Sequence, residues 1–262
     1  MKTCLVGILT SCALLAQTAA TGKALGAVGQ SSKALIDELV LANRILTNEG
    51  VLDAYGHVSV RSDKDRNRFF LARHLPAGVI TAADVIEYDL DTKAVVQNDF
   101  VGYSERFIHG EIYKARPDVM AIVHGHAPEI VAFSVTSVPL LPIAHMAGFL
   151  IEGVPTFEIR EFGGVTDMLI RTNELGSALA RTLGDKPAAL LRGHGAVVVA
   201  PSLHVVAGRA YYMNVNAREL QQALLLGGGK VTYLEREEAR KAAPQDGFER
   251  AWELWKRQAT AK

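Results

Sequence analysis

The sequence predicts a mixed α/β domain, and three features carry that prediction. Short β-like apolar runs alternate along the chain with segments whose apolar residues recur at helical spacing. Turn residues separate the two kinds of segment. A 262-residue chain that is 49% hydrophobic and 21% charged can also bury a sizeable core without staples.

Taken in order, Ala34 to Gly50 places Leu35, Leu39, Leu41, Ile45 and Leu46 opposite Asp and Glu, which predicts an amphipathic helix. Val58-Ser59-Val60, Arg68 to Leu71 and Val85 to Tyr88 are strand-like runs. Glu105 to Ala115 has helical spacing and ends at Arg116-Pro117-Asp118. Met120 to His124 is a buried-type strand, followed by a helix from Pro128 to Ser137, a strand near Thr156 and a helix from Thr172 to Leu183. The strands Ala188 to Leu191 and Ala196 to Val199 precede a long helix from Leu203 to Leu226. Residues 33–230 read as one domain, because no internal repeat or polar linker divides them. Residues 231–262 form a tail in which Phe248, Trp252 and Trp255 share a helical stripe. The stripe is expected to pack on the body or on a neighbouring subunit, the latter because two exposed Trp on one stripe are unfavourable.

The first 20 residues differ from the rest. Lys2 is their only charge, Cys4 to Leu15 is apolar, and Thr18, Ala19 and Ala20 are small, which predicts a secretory signal cleaved near Ala20 and export to the periplasm. Leu9-Thr10-Ser11-Cys12 also fits a lipoprotein processing site that would anchor the chain through Cys12. Residues 21–32 read as a linker. The apolar run is shorter than the roughly 20 residues a membrane span needs, so no span is expected in the mature chain. Both cysteines lie in this segment, which excludes disulfide and thiolate chemistry from the mature protein. With 28 basic and 28 acidic residues there is no basic excess to bind nucleic acid.

The chemistry is concentrated in histidine. His124-Gly125-His126 ends a hydrophobic strand, where positions i and i+2 face the same side. Arg192-Gly193-His194-Gly195 places a third imidazole between two further strands. Three neutral imidazoles with open positions would hold a catalytic divalent ion. The residues alone equally allow rings that are merely hydrogen-bonded in the core.

Several motifs together extend the reading. Gly56-His57-Val58-Ser59-Val60-Arg61, Tyr103-Ser104-Glu105, Ile108-His109, Ile112 to Val119, Ile122-Val123-His124-Gly125-His126 and Leu191 to Gly195, in this order and spacing, resemble the class II aldolase/adducin family. The resemblance runs from about Leu35 to Leu226. It implies a three-layer α/β/α sandwich around a central, largely antiparallel sheet, commonly assembled as a homotetramer with active sites near subunit interfaces. It also implies one divalent ion per subunit on His124, His126 and His194, with Glu105 as acid/base or displaceable ligand. Zinc or manganese leads as the ion, with cobalt or iron(II) next.

The departures from the family pattern point to the substrate. Sugar-phosphate aldolases of the family hold phosphate with a Gly-Asn-x-Ser loop, a Thr-Gly turn and a Ser-Ser pair. Here the corresponding positions are His57, the stretch Ala72 to Pro76, and Tyr103 before Ser104. By spacing, the aldolase tyrosine is replaced by His145. Arg73 offers a planar fork for a carboxylate, His57, His74 and His145 offer donors, and Tyr103 can lie against a ring. The pattern looks like the decarboxylase branch of the family, so the expectation is a metal-dependent carbon–carbon lyase acting on a small hydroxylated aromatic or heteroaromatic acid. Retro-aldol cleavage of a non-phosphorylated substrate is the alternative, followed by a non-catalytic adducin-like or periplasmic binding role. Arg61 is expected to find a salt-bridge partner, His109 to face the core, and Glu129 is a candidate to orient an imidazole.

Overall fold

The computed structural model describes residues 30–97, 99–242, 244 and 247–261. The expected signal, Cys4, Cys12 and most of the expected linker lie outside the described residues. The linker's last residues belong instead to helix α1 (Gln30–Asn48).

Seven strands form one sheet: β1 (His57–Arg61), β2 (Arg68–Ala72), β3 (Val85–Asp89), β4 (Ala121–Gly125), β5 (Thr156–Phe157), β6 (Ala188–Leu191) and β7 (Gly195–Ala200). Their order is β3-β2-β1-β4-β7-β6-β5, with every neighbouring pair antiparallel except β5 and β6. Strand alternation sends side chains to two separate cores. On one face Val58, Val60, Val123 and Val198 pack with α1, α3 (Pro128–Ser134), α6 (Leu203–Leu226) and α8 (Glu249–Thr260). On the other, Phe69, Ile122, Val197 and Val199 pack with α2 (Arg106–Ala115) and α5 (Asn173–Leu183). Helices therefore cover both faces, as the expected sandwich requires. Two short helices, α4 (Arg160–Gly163) and α7 (Arg236–Ala242), complete the set among the described residues.

Local chemistry sets the boundaries. Thr172 and Ser202 cap α5 and α6 by accepting N–H bonds from Leu175 and Val205. Helix α3 stops at Ser134, short of the expected Ser137. Of the two placements expected for the tail stripe, the structure shows packing on the body: Trp252 and Trp255 are buried in the chain's own core with α1 and α6. Arg61 is buried too, and its guanidinium donates to the carbonyls of Val119, Tyr113 and Arg116 rather than to a carboxylate.

The sheet centre positions the site. β1 and β4 run antiparallel with His57 opposite His124, so the start of one strand meets the end of the other. β7 begins there as well, with Ala196 opposite Gly125.

Candidate metal centre

Four donor atoms converge at this sheet end. One ligand atom each from Glu105, His124, His126 and His194 lies within 4.8 Å of all the others. His124 comes from β4 and His126 from the residue after it, so the strand period places both rings on one side. His194 sits in the turn from β6 to β7. Gly193 takes φ +65 there, a left-handed conformation that glycine adopts without strain. At Gly195, a Cβ would fall 2.2 Å from the Gly125 carbonyl, so only glycine lets the two strands close up beside His126. Glu105 is the residue that enters α2, and its side chain caps nothing.

The hydrogen bonds fix which nitrogens are free. His124 Nδ1 donates to the Ala196 carbonyl at 3.0 Å, and His126 Nδ1 donates to Asp53 at 3.1 Å. In a neutral ring each Nε2 is then a bare lone pair, yet the two Nε2 atoms lie 3.1 Å apart. Two lone pairs facing each other at that distance fit a cation between them. His194 adds Nε2 at 3.5 Å from Glu105 Oε2, and its Nδ1 is buried without a hydrogen-bond partner among the described residues. Glu105 Oε2 is also 3.5 Å from His124 Nε2, while Oε1 accepts the Ile170 N–H at 2.8 Å. Burial opposes the charge of Glu105, but hydrogen bonds and charge from His124 and His194 outweigh it and hold the carboxyl far below its ordinary range. The group is thus a carboxylate aimed at the imidazoles. This donor set fits a divalent ion, which His124, His126 and His194 would hold with Glu105 as a fourth donor.

A cavity of about 400 Å³ opens beside the cluster. His57, His74, Tyr103 and Ser104 line it, with Glu105, His126 and His194 at its base. Tyr103 is buried, its ring centroid 4.4 Å from that of His57, and its hydroxyl donates to the Leu75 carbonyl. It therefore acts as a wall, and burial pushes its phenol up to about 12.

The fold does not bring two expected residues to this cavity. Arg73 spends its Nε on Asp84 at 2.7 Å, lies over the Phe100 ring and does not line the cavity. His145 is exposed at the start of a 3-10 turn, His145–Leu150, whose Ala147, Gly148 and Leu150 are buried, and it does not line the pocket. Glu129 accepts from Arg218 at 2.9 Å and orients no imidazole. That task falls to Asp53, whose Oδ1 also accepts the N–H groups of Tyr55 and Gly56. Burial works against its charge, but these bonds and His126 hold its carboxyl below its ordinary range. An Asp three residues before a glycine at a strand entrance is a turn signature that marks this position in the sequence. Asp167, Met168 and Leu169 also line the cavity and carry no such signal.

Residues 37–220 match the family model described as class II aldolase and adducin N-terminal domain. The chain belongs to the class II aldolase and adducin family. Within it, the chain is 36% identical over 238 residues to decarboxylase tropJ of Talaromyces stipitatus, covering 82% of this chain and 90% of that protein. It is 30% identical over 205 residues to a 3,4-dihydroxyphthalate decarboxylase of Arthrobacter keyseri, covering 73% and 79%. Among solved structures, an aldolase II superfamily protein from Pseudomonas syringae superposes with a TM-score of 0.73 at 23% identity, covering 88% of this chain and 94% of that one. This class II aldolase-family protein is a lyase, with a His/Glu cluster able to bind the divalent metal such enzymes use.

Proposed function

We propose that the protein is a divalent-metal-dependent decarboxylase of hydroxylated aromatic or heteroaromatic acids. The observation that carries this reading is the cavity lining: imidazoles and a tyrosine stand beside the His/Glu cluster where a phosphate cradle of hydroxyls would otherwise be. The two relatives named as decarboxylases support it.

When bound, a divalent ion supplies a Lewis acid that accepts charge developing on a substrate oxygen. His124, His126 and His194 would hold it. Tyr103 and His57 wall one side of the cavity against water and orient a flat ring. As the bond to the carboxylate carbon breaks, its electron pair stays on the ring carbon and CO₂ leaves. The Glu105 carboxylate takes the proton of a substrate hydroxyl on Oε2 and hands it to that ring carbon, and water reprotonates the phenolate product. His145, lying outside this pocket, can serve such chemistry only across a subunit contact. Zinc or manganese, then cobalt or iron(II), are the ions of this reading, since all accept imidazole. The proposed homotetramer rests on family resemblance, and the proposed periplasmic export rests on the N-terminal pattern.

The test is CO₂ release by metal-reconstituted protein from 3,4-dihydroxyphthalate, dihydroxybenzoic acids and hydroxypyridine carboxylic acids. An aldehyde product from hydroxy-carbonyl compounds would move the assignment to aldol cleavage. Metal-loaded protein that forms neither product would overturn the reading.

A further inference from the structure

A second cavity, of about 490 Å³, lies at the end of the sheet away from the histidine cluster. Val199 and Ala200 at the close of β7 line it, whereas Gly195 and Ala196 open the same strand beside the metal ligands, about 13 Å away at the usual strand rise. The two cavities share no residue. The second has the size of a small-molecule site, and Val119, Phe149, Ile151, Pro187 and Pro201 give it apolar surface.

The charges around this cavity do not all cancel. Three carboxylates line it, and each is engaged: Asp118 with Arg116 at 2.7 Å, Asp185 with Lys186 at 3.1 Å, and Glu152 with both Arg236 and Arg240. Arg209 from α6 is the lining cation left over. Its Nη1 donates to the Val199 carbonyl at 2.6 Å, its guanidinium carbon stands 5.8 Å from the centre of the Phe149 ring, and it forms no ion pair among the described residues. Val199 and Phe149 both line the cavity, so the guanidinium is held at its wall. Arg209 is half-buried, and burial together with the Arg116 charge holds its pKa below the ordinary arginine range, with Asp118 offsetting part of the effect. A guanidinium carries five N–H donors, and the Val199 carbonyl takes one. An oxyanion is the partner that matches the planar fork and supplies the missing charge.

We propose that this cavity is a second binding site, for a small organic anion whose carboxylate or phosphate oxygens pair with the free N–H groups of Arg209 while its apolar part rests on Phe149 and Ile151. The site is independent of the metal cluster and of the reaction assigned to it.

Phenylglyoxal labelling of arginine, read by peptide mass spectrometry on the zinc-loaded full chain, reports occupancy at Arg209 apart from any binding at the cluster. Benzoate and phenyl phosphate carry the same ring on the two kinds of oxyanion, and each is compared with chloride at equal ionic strength. At least one of them is expected to slow labelling of Arg209 saturably by about tenfold, as charge-assisted bonds to a guanidinium predict, with exposed Arg250 of α8 unaffected. Protection by benzoate alone assigns a carboxylate ligand, and protection by phenyl phosphate alone a phosphate ligand. Equilibrium dialysis of the protecting anion against Arg209→Gln, whose amide can still donate to the Val199 carbonyl, is expected to show one bound anion fewer per chain than wild type. Equal labelling of Arg209 in both anions and in chloride would overturn the proposal, as would an Arg209→Gln chain that binds as much anion as wild type. An Arg209 that phenylglyoxal does not reach would overturn it too, because a guanidinium closed to that reagent is closed to a ring of the same size.

Discussion

Five histidines meet at one end of the sheet, in two groups built on opposite principles. His124 and His126 each give Nδ1–H to a fixed acceptor, a carbonyl and a carboxylate, so their remaining lone pairs converge on one point beside His194. His57 and His109 instead bond to each other and to a hydroxyl, so their protons are passed along a line. The first arrangement concentrates electron density and attracts a cation. The second spends both nitrogens of His109 and Nδ1 of His57 on bonds within the line. Residue type alone does not separate the groups; the partner on the far nitrogen does.

The comparison breaks most completely at a ligand. His126→Ala is expected to take bound metal from near one ion per chain to none, and CO₂ release to background, measured by elemental analysis and product detection on the same samples. Glu105→Gln should keep the fold and three imidazole ligands but lower kcat by about 10² to 10⁴, the span of a lost acid/base group. An unchanged kcat would remove Glu105 from the chemistry. Asp53→Ala leaves every ligand in place and frees only the far nitrogen of His126. Metal affinity should then fall by about 10- to 100-fold in a competitive chelator titration. A change of less than twofold would mean that the orientation of His126 does not depend on its partner.

The two groups were not equally legible in the sequence. The strand period of His124-Gly125-His126 and the glycines around His194 foreshadow a convergent set, because i, i+2 spacing and tight turns are local geometry. The strand and helix succession was legible for the same reason. His109 was readable as core-facing, but its bond to His57 joins residues from α2 and β1, and no local pattern encodes that pairing. Arg73 and His145 lie away from the cavity for different reasons. Their chemistry suited the expected substrate, yet Asp84 from a neighbouring turn claimed one and the path of the chain after α3 carried the other away. Residue chemistry proposes partners, and tertiary contacts choose among them.

The buried line also leaves a trace in stability against pH. His109 is fully buried, and burial drives its imidazole down to about 3, whereas in an unfolded chain it titrates near 6.5. Between those values the unfolded chain holds a proton that the folded one refuses. Unfolding free energy should therefore be fully present above about pH 7 and fall as pH drops below about 6.5, by up to about 1.4 kcal/mol per pH unit for this one histidine. His109→Gln keeps an amide that can bridge Ser59 and His57 but cannot titrate in this window. Urea unfolding from pH 7.5 to pH 5, at the same zinc excess for both proteins, cancels the contribution of the ligand histidines. The wild-type slope is expected to exceed the variant's by up to one proton between pH 6.5 and pH 5, with parallel curves above pH 7. Parallel curves throughout would mean that folded His109 accepts a proton as readily as the unfolded chain does, and that the line of neutral bonds is not what holds it.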